Sequence, residues 1–279
     1  MSRNDVFSAA SAADPRVAES LEQAQQDLGF DIPVETVPLP SLGKVYPPGH
    51  PLHLKQSVDI RAMTAREEDI LTSRAFIKNG TVITNLLRSC LIDKSIDPRT
   101  LLSGDRNAIL VAIRITGYGA DYNTNVTCPL CDTSQVHTCS LGELPIISLE
   151  SDPVTPGSNE FELILPVSGK KVTVSFPTGL DEEEALTIAE RKRKQGIVAD
   201  NLVTDRLFRA ITSIQGNTDK SFISKFIRNM PARDSLQIRR FLEKNEPTVS
   251  MMTHFTCEAC DYQEEMSLPL GANFFWPEA

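Results

Sequence analysis

Two Cys-x-x-Cys pairs, one near the middle of the chain and one near its end, constrain the fold more than any other sequence feature. They are Cys128-Pro-Leu-Cys131 and Cys257-Glu-Ala-Cys260. A two-residue gap in a tight turn brings both sulfurs to a common point, so each pair supplies half of a tetrahedral zinc site. Strand-like segments enter and leave both pairs. This is the pattern of a zinc ribbon, in which two hairpins face each other across one metal.

About 125 residues separate the two pairs, far more than the usual spacing of such ligands. The cost of closing a loop grows only with the logarithm of its length, so the distance does not prevent a shared site. We expect Cys128, Cys131, Cys257 and Cys260 to bind one structural Zn²⁺, because four cysteines leave no coordination position for water. Disulfides, thioredoxin-like redox centres and two unrelated turns are the alternatives.

Other cysteines and histidines are weaker ligand candidates. His137 and Cys139 lie close enough to the first pair to replace one of its ligands, and His254 precedes the second pair by three residues. Cys90 falls on an apolar helical stripe, where a cysteine behaves as a small buried hydrophobe.

The charge balance excludes some classes of protein. The 28 Lys and Arg residues are outnumbered by 37 Asp and Glu residues, giving a net charge of −9, which disfavours sequence-independent binding to phosphate backbones. The longest apolar run, Ala108 to Ile113, is far shorter than the roughly 20 residues of a membrane span. The N-terminus lacks the basic start and apolar core of an export signal, so we expect a reducing cytoplasm.

We predict an α+β fold: a helical body with a β-hairpin, a four-cysteine zinc ribbon built from two distant knuckles, and a flexible N-terminal arm. Proline fixes φ and restricts the residue before it, so the proline-rich stretch at 34–54 should be extended, as an ordered arm or a linker. The five predicted segments are 1–57 (acidic arm and proline-rich stretch), 58–120 (helical domain), 121–150 (first zinc knuckle hairpin), 151–248 (β-hairpin plus helical bundle) and 249–279 (second zinc knuckle hairpin and aromatic C-terminus).

Apolar spacing predicts the elements of the body. The capping-box sequence Thr64-Ala-Arg-Glu67 should begin a helix that runs to about Ser73. The apolar runs around Ser168-Gly169 predict a hairpin over 161–176. Helical spacing predicts further helices over 83–91, 105–113, 181–194 with Gly196 as its stop, 203–214, 222–230 and 236–242.

Catalytic motifs are absent from the sequence. It contains no Walker loop, no dinucleotide-binding glycine motif and no His-Glu-x-x-His, and no histidine lies in a known nucleophile motif. We therefore expect a protein that is not an enzyme. The alternative is a zinc-ribbon nucleic-acid-binding or transcription-associated protein, with a basic strip formed by Arg191–Lys194, Arg228, Arg233, Arg239 and Arg240. The overall acidity and the lack of interleaved aromatic residues argue against nucleic acid.

Several phrases of the sequence, taken in order, resemble the T-even-type baseplate hub subunit and assembly family of contractile-tailed bacteriophages. The resemblance covers about Pro38 to the C-terminus. The phrases are Leu39-Pro-Ser-Leu-Gly-Lys-Val-Tyr46, Met63-Thr-Ala-Arg-Glu-Glu-Asp-Ile-Leu-Thr-Ser73, Ile77-Lys-Asn-Gly-Thr81, Gly104-Asp-Arg106, Ile113-Arg-Ile115, Tyr118-Gly119, Leu165-Pro-Val-Ser-Gly-Lys170 and Phe274-Phe-Trp-Pro277.

The resemblance implies a structural component of the tail baseplate hub, or a factor that assembles the hub. It implies a place in the virion, host cytoplasm during assembly, and partners among other tail and hub proteins, with the tape-measure protein as a candidate. Membrane is not expected. The aromatic terminus, Phe274-Phe-Trp276, either anchors in a partner's pocket or docks onto the ribbon of its own chain.

Overall fold

The computed structural model describes residues 32–194, 202–268, 270 and 272–275. Helices and strands both occur along this part of the chain, largely in runs of one kind, which confirms the mixed α+β class. The helices are α1 (Ala65–Thr72), α2 (Arg74–Asn79), α3 (Val82–Cys90), α4 (Ser103–Tyr118), α5 (Gly179–Lys194), α6 (Leu202–Ala210), α7 (Lys220–Asn229) and α8 (Ala232–Asn245). The strands are β1 (Val34–Pro38), β2 (Ser57–Arg61), β3 (Asp121–Thr127), β4 (Ser134–Ser140), β5 (Ile146–Ile147), β6 (Phe161–Ile164), β7 (Lys171–Val174), β8 (Ile211–Ile214), β9 (Thr248–Val249), β10 (Met252–Thr256) and β11 (Gln263–Ser267).

All the strand pairs are antiparallel. Four two-stranded sheets join β1 with β2, β3 with β4, β5 with β9, and β10 with β11, while β6, β7 and β8 form a three-stranded sheet. A large hydrophobic cluster draws residues from β1 through to the C-terminal turn Ala272–Phe275, and a small second cluster lies between the two cysteine hairpins. The division into five segments stays a prediction.

Helix α4 is the central element of the body. Its residues from Ser103 to Arg114 are buried except Asn107, because it packs against strands, helices and the C-terminal turn. Gly104 allows one of these close approaches, since a Cβ there would lie 1.6 Å from the Pro247 carbonyl oxygen. The helix ends at Tyr118 and is followed by Gly119, which has φ of +85°, while Gly117 lies within the helix.

The predicted helix over 203–214 is wrong in its last turn. Helix α6 ends at Ala210, and β8 then pairs with β7 as the third strand of the sheet. Ile211 and Ile214 are fully buried there, where β-branched side chains fit a pleated surface well. The short helix α2 was not predicted from the sequence, and the expected helix stop at Gly196 and the flexible arm before residue 32 lie outside the described residues.

The proline-rich stretch is an ordered part of the body. Strand β1 pairs along its whole length with β2. The residues after β1 turn back on themselves instead of extending, and Leu39, Val45, Tyr46 and Leu52 are buried in the main core. The expectation of an ordered arm is therefore confirmed, and the alternative of a linker is wrong.

A buried carboxylate on α4 fastens this stretch to the body. Asp105 accepts hydrogen bonds from the Ser41 backbone N–H (2.9 Å), the Ser41 hydroxyl (2.5 Å) and the Tyr46 hydroxyl (2.5 Å). Burial raises the pKa of Asp105, although these hydrogen bonds act to lower it. The turn between Ser41 and Tyr46 needs glycine at 43, where φ is +69° and a Cβ would lie 2.5 Å from the Lys55 backbone.

The predicted hairpin of β6 and β7 is confirmed, and α8 holds its turn. Asp234, in the first turn of α8, accepts hydrogen bonds from the backbone N–H groups of Val167 (2.7 Å) and Ser168 (3.0 Å). Backbone donors in the hairpin turn would otherwise lack partners in the protein. This carboxylate therefore fixes the orientation of the sheet relative to the C-terminal helix of the body.

The capping box at the start of α1 is confirmed and extends into an ion-pair network. Glu67 is fully buried and accepts from Thr64 N (2.9 Å) and Thr64 Oγ1 (2.7 Å), from both terminal nitrogens of Arg61 (2.6 and 3.1 Å), and from Ser89 Oγ (2.5 Å). Burial alone would raise the pKa of this carboxyl. The hydrogen bonds from Arg61, Ser89 and Thr64 overcome that effect and lower the pKa to about 2.

We expect Glu67 to make the stability of the protein sensitive to acid. Its pKa in the folded state lies below the ordinary value of 4.5, so the stabilisation is complete above about pH 5 and is lost as the pH falls toward 2. The contribution at neutral pH is ~3 kcal/mol. Urea unfolding of the wild type and Glu67→Gln should therefore show a stability difference that shrinks as the pH falls from 6 to 3. Other acid-sensitive groups are common to both proteins and cancel, so a difference independent of pH would contradict the prediction.

Candidate metal centre

Two hairpins from distant parts of the chain carry the cysteine pairs at their turns. Strands β3 and β4 pair over seven residues each and enclose Cys128 and Cys131, while β10 and β11 pair over five residues each and enclose Cys257 and Cys260. The strand-like flanks predicted from the sequence are therefore confirmed on both sides of both pairs. Each hairpin presents its turn to the other hairpin.

The four sulfurs converge on one point. All four Sγ atoms lie within 4.8 Å of one another, with Cys128 and Cys260 separated by 3.7 Å and Cys131 and Cys257 also by 3.7 Å. A tetrahedron of thiolates about 2.3 Å from a central zinc ion has edges of about 3.8 Å. A disulfide needs sulfurs about 2.05 Å apart, so these contacts are not disulfides, and all six cysteines are free. The donor set fits a tetrahedral metal ion.

The backbone of the two turns follows one plan. The N–H of the first cysteine donates to the carbonyl of the residue five positions later, in Cys128 to Thr133 (2.9 Å) and Cys257 to Tyr262 (2.8 Å). The residue after each second cysteine is an aspartate in the left-handed region, with φ of +56° at Asp132 and +57° at Asp261. Aspartate tolerates this conformation better than most residues. The two pairs are thus pseudo-equivalent halves of one site.

Side chains between the hairpins hold the halves together. The Gln135 amide donates from Nε2 to the Thr256 carbonyl (3.0 Å), and its Oε1 accepts from the Glu258 N–H (2.9 Å). His137 lies edge-on to the Phe255 ring at 5.8 Å between centroids, with its Nε2 3.3 Å from Thr253 Oγ1. Gln135 was not anticipated from the sequence. The available signal is alternation, since Gln135, His137 and Cys139 share the less exposed face of β4.

The small cluster at this interface contains little apolar material. Its buried members are Cys128, Phe255 and Cys257, with Val126, Cys260, Tyr262 and Met266 partly buried around them. Two short hairpins with so small a core need a further source of stability. A metal ion bound to the four sulfurs would supply that stability, because its binding free energy would be part of the folding free energy.

The sulfurs perturb one another's ionisation. Hydrogen bonds from the side chain and backbone of Thr133 lower the pKa of Cys131 to about 6. The hydrogen bond from the Tyr262 backbone lowers the pKa of Cys260, but desolvation and hydrogen bonds to the three other sulfurs raise it more, to about 12. Thiolates this close share protons, since like charges oppose full ionisation. A divalent cation removes that repulsion.

The weaker ligand candidates lie elsewhere. Cys90 is fully buried in the main core, as expected, and burial raises its pKa to about 12. Cys139 packs against the main core, and His254 is exposed, 3.8 Å from Glu265. Among the residues that the structure describes, the four paired cysteines form the one group of three or more potential ligands with its donor atoms this close.

The aromatic terminus folds back onto its own chain. Phe274 and Phe275 are each 1% exposed, and the Phe274 ring lies 5.3 Å from that of Tyr122 on β3. Arg114 of α4 fixes the turn by donating to the carbonyls of Phe274 (3.2 Å), Gly119 (2.8 Å) and Asp121 (3.3 Å). For these two phenylalanines, the prediction that they anchor in a partner's pocket is wrong. The alternative, that they dock onto the ribbon of their own chain, is confirmed, since they pack at the base of the first hairpin. Trp276 lies outside the described residues.

The predicted basic strip is partly neutralised. Lys192 forms an ion pair with Asp205 (2.7 Å) and Lys194 with Glu190 (3.7 Å). None of the helices in the described part of the chain has the length and apolarity needed to cross a bilayer.

Comparison with known proteins identifies one family. Neither the curated proteins nor the solved structures contain a match to this chain. The family described as T4 bacteriophage base plate protein matches residues 34–276, from the first residue of β1 to just beyond the C-terminal turn. A match of this extent covers both cysteine hairpins and the whole helical body, and the chain therefore belongs to the T4 bacteriophage base plate protein family.

Proposed function

We propose that this protein is a structural component of the baseplate hub of a contractile phage tail, or a factor that assembles the hub. Membership of the baseplate family indicates a structural part of the phage tail that contacts other baseplate or tail proteins. The hub is the finer assignment, and it rests on the resemblance carried by the ordered phrases between Leu39 and Pro277 together with the placement of the cysteine pairs. The proposed partners are hub proteins, the tape-measure protein among them.

The observation that carries the mechanism is the meeting of four sulfurs from sites more than a hundred residues apart. We infer that the ion is Zn²⁺, held by Cys128, Cys131, Cys257 and Cys260, because zinc prefers four thiolates in a tetrahedron. Zinc supplies structural cross-linking here, with no open position for substrate. The chain thus acts by binding other proteins through a stiff, metal-braced surface, and we propose no enzymatic activity.

Two features of the fold support a binding role. The proline-rich stretch after β1 is locked to α4 through Asp105, which gives a fixed surface in place of a flexible tether. The second is the attachment of the ribbon to the body, since β9 pairs with β5 and packs against α4, and Arg114 of α4 contacts the C-terminal turn. Rigid surfaces lose little conformational entropy when they bind a partner.

Purified virions test this assignment. We expect quantitative mass spectrometry of intact particles to find peptides of this chain at a constant ratio to other baseplate proteins, and particles from a host that produces no functional copy to lack a complete hub. Absence from mature virions together with failed hub assembly would identify the assembly factor. Complete, infectious tails formed without the protein would contradict both forms of the proposal, and a salt-dependent gel shift with nucleic acid would favour the transcription-associated alternative.

A further inference from the structure

Charge is distributed very unevenly over this chain. The two stretches that build the cysteine hairpins, 119–150 and 248–268, contain eight Asp and Glu residues and no Lys or Arg. Residues 191–244 show the opposite balance, with thirteen Lys and Arg residues against five Asp and Glu residues. The net charge of −9 therefore conceals an acidic pole and a basic pole.

The acidic pole ends in an apolar projection. We call residues 129–132 and 258–261 the ribbon tip. Leu130 at this tip is 67% exposed, and Asp132, Glu258 and Asp261 around it are exposed as well. None of these three carboxylates forms a salt bridge within the described residues. Four thiolates bound to one divalent cation would add two further negative charges beside them.

The basic pole contains a shallow depression between α6 and α7, which we call the basic depression. Its lining contains no carboxylate, and it consists of Phe208, Lys220, Ser221, Ser224, Lys225, Arg228 and Asn229. The Phe208 ring is partly exposed, with Lys220 Nζ 5.5 Å from its centroid. Lys220, Lys225 and Arg228 are exposed and form no salt bridge in the described part of the chain.

We propose that the ribbon tip of one copy of this chain binds in the basic depression of a second copy. The projection and the depression are complementary in three respects: apolar Leu130 faces the Phe208 ring, carboxylates face ammonium and guanidinium groups, and a convex tip meets a concave surface. Both surfaces are exposed within one chain, so neither is already covered by the other. A second copy supplies both, and opposite poles attract at a distance when salt is low.

Such a contact is heterologous, because two different surfaces of the same chain meet. Heterologous contacts join copies head to tail and produce closed rings or open filaments. An open assembly keeps one unused tip at one end and one unused depression at the other until a ring closes. The inference rests on the charges and shapes of the two poles and does not depend on the hub assignment.

Complementary variants of the full-length, zinc-loaded chain test the contact. The tip variant is Leu130→Ser with Glu258→Lys, and the depression variant is Lys225→Glu with Arg228→Glu; all four positions are exposed and none is a proposed ligand. Light scattering after size exclusion at low salt should give the wild type a mass of at least twice the monomer, falling to the monomer in high salt. Each variant alone should be monomeric.

The mixture of the two variants gives the decisive result. Each variant keeps one unaltered surface, so an equimolar mixture should associate to at least twice the monomer mass through the unaltered tip of one variant and the unaltered depression of the other. Zinc content and circular dichroism confirm that both variants are folded. A monomeric wild type at high micromolar concentration in low salt, association of either variant alone, or a mixture that stays monomeric would each overturn the proposal.

Discussion

Replacing Cys128 or Cys257 with serine should reduce the bound zinc from about one ion per chain to nearly none. Both sulfurs are fully buried and each belongs to a different hairpin. A serine hydroxyl is a poor substitute for a thiolate, and three thiolates from two short hairpins bind far more weakly than four. Structural zinc in small peptides contributes about 10–16 kcal/mol of apparent binding free energy near neutral pH, so its loss outweighs the small apolar cluster of the ribbon. Metal analysis of the purified protein measures the effect directly.

Cys139→Ser is the matched control for both substitutions. Cys139 lies on β4, eight residues after Cys131, but it packs against the main core and is not part of the sulfur group. It should keep about one zinc ion per chain. Full zinc content in either Cys128→Ser or Cys257→Ser would show that the two pairs do not share one ion, and loss of zinc in Cys139→Ser would show that the ligand set is wrong.

Zinc loss should disorder the ribbon more than the body. The main cluster and the ribbon cluster are separate groups of residues, and the sulfurs contribute only to the second. The body also has its own polar fasteners at Asp105 and Asp234. Removal of the metal therefore acts on the hairpins first, and on the C-terminal turn through Tyr122 and Phe274.

The convergence of these four cysteines was predictable because the pattern that suggests it is local to each turn. A Cys-x-x-Cys spacing specifies half of a site whatever the rest of the chain contains, and the two halves were identical in pattern. The way in which the two hairpins face each other could not be predicted from the local sequence. It depends on Gln135, a residue type common on surfaces, and on strand register set by the rest of the fold.

The errors in the predicted elements came from tertiary packing. Ile211 and Ile214 continue the apolar spacing of α6, so sequence periodicity alone cannot place the end of that helix before them. The position where α6 ends is determined by β7, because pairing with the edge of β7 gives residues 211–214 backbone hydrogen bonds and a buried face. Phe274 and Phe275 looked available to a partner for the same reason, since nothing local reveals the cavity beside Tyr122 and Arg114 that they fill.

The placement of the proline-rich stretch also depends on tertiary contacts, in this case on hydrogen bonds to a distant residue. Proline content correctly argued against a helix there, but it carried no information on whether the stretch was tethered. Ser41 and Tyr46 reach a carboxylate about sixty positions later in sequence. Such a pairing becomes visible only when the three-dimensional partner is known, and it gives a structural reason for the Leu39–Tyr46 phrase.

Asp105→Ala should destabilise the protein by about 3–5 kcal/mol, the largest loss that we expect from one substitution in the body. It leaves the Ser41 N–H, the Ser41 hydroxyl and the Tyr46 hydroxyl buried without their acceptor. Each buried donor without a partner costs about 1–3 kcal/mol, and the proline-rich stretch also loses its attachment to α4. Urea unfolding of the zinc-loaded protein, followed by far-UV circular dichroism, measures the change.

Two further variants separate this network from general damage. Asp152→Ala removes an exposed carboxylate that contacts the same stretch through Lys44 (3.0 Å), and it should change stability by no more than about 0.5 kcal/mol. Tyr46→Phe removes one donor and leaves the Leu102 N–H without its acceptor, so it should cost about 1–2 kcal/mol. Because Tyr46 and Asp105 act on the same hydrogen bond, the double variant should lose less than the sum of the single losses. Strict additivity, or an Asp105→Ala loss no larger than that of Asp152→Ala, would mean that the stretch is held by its apolar residues alone.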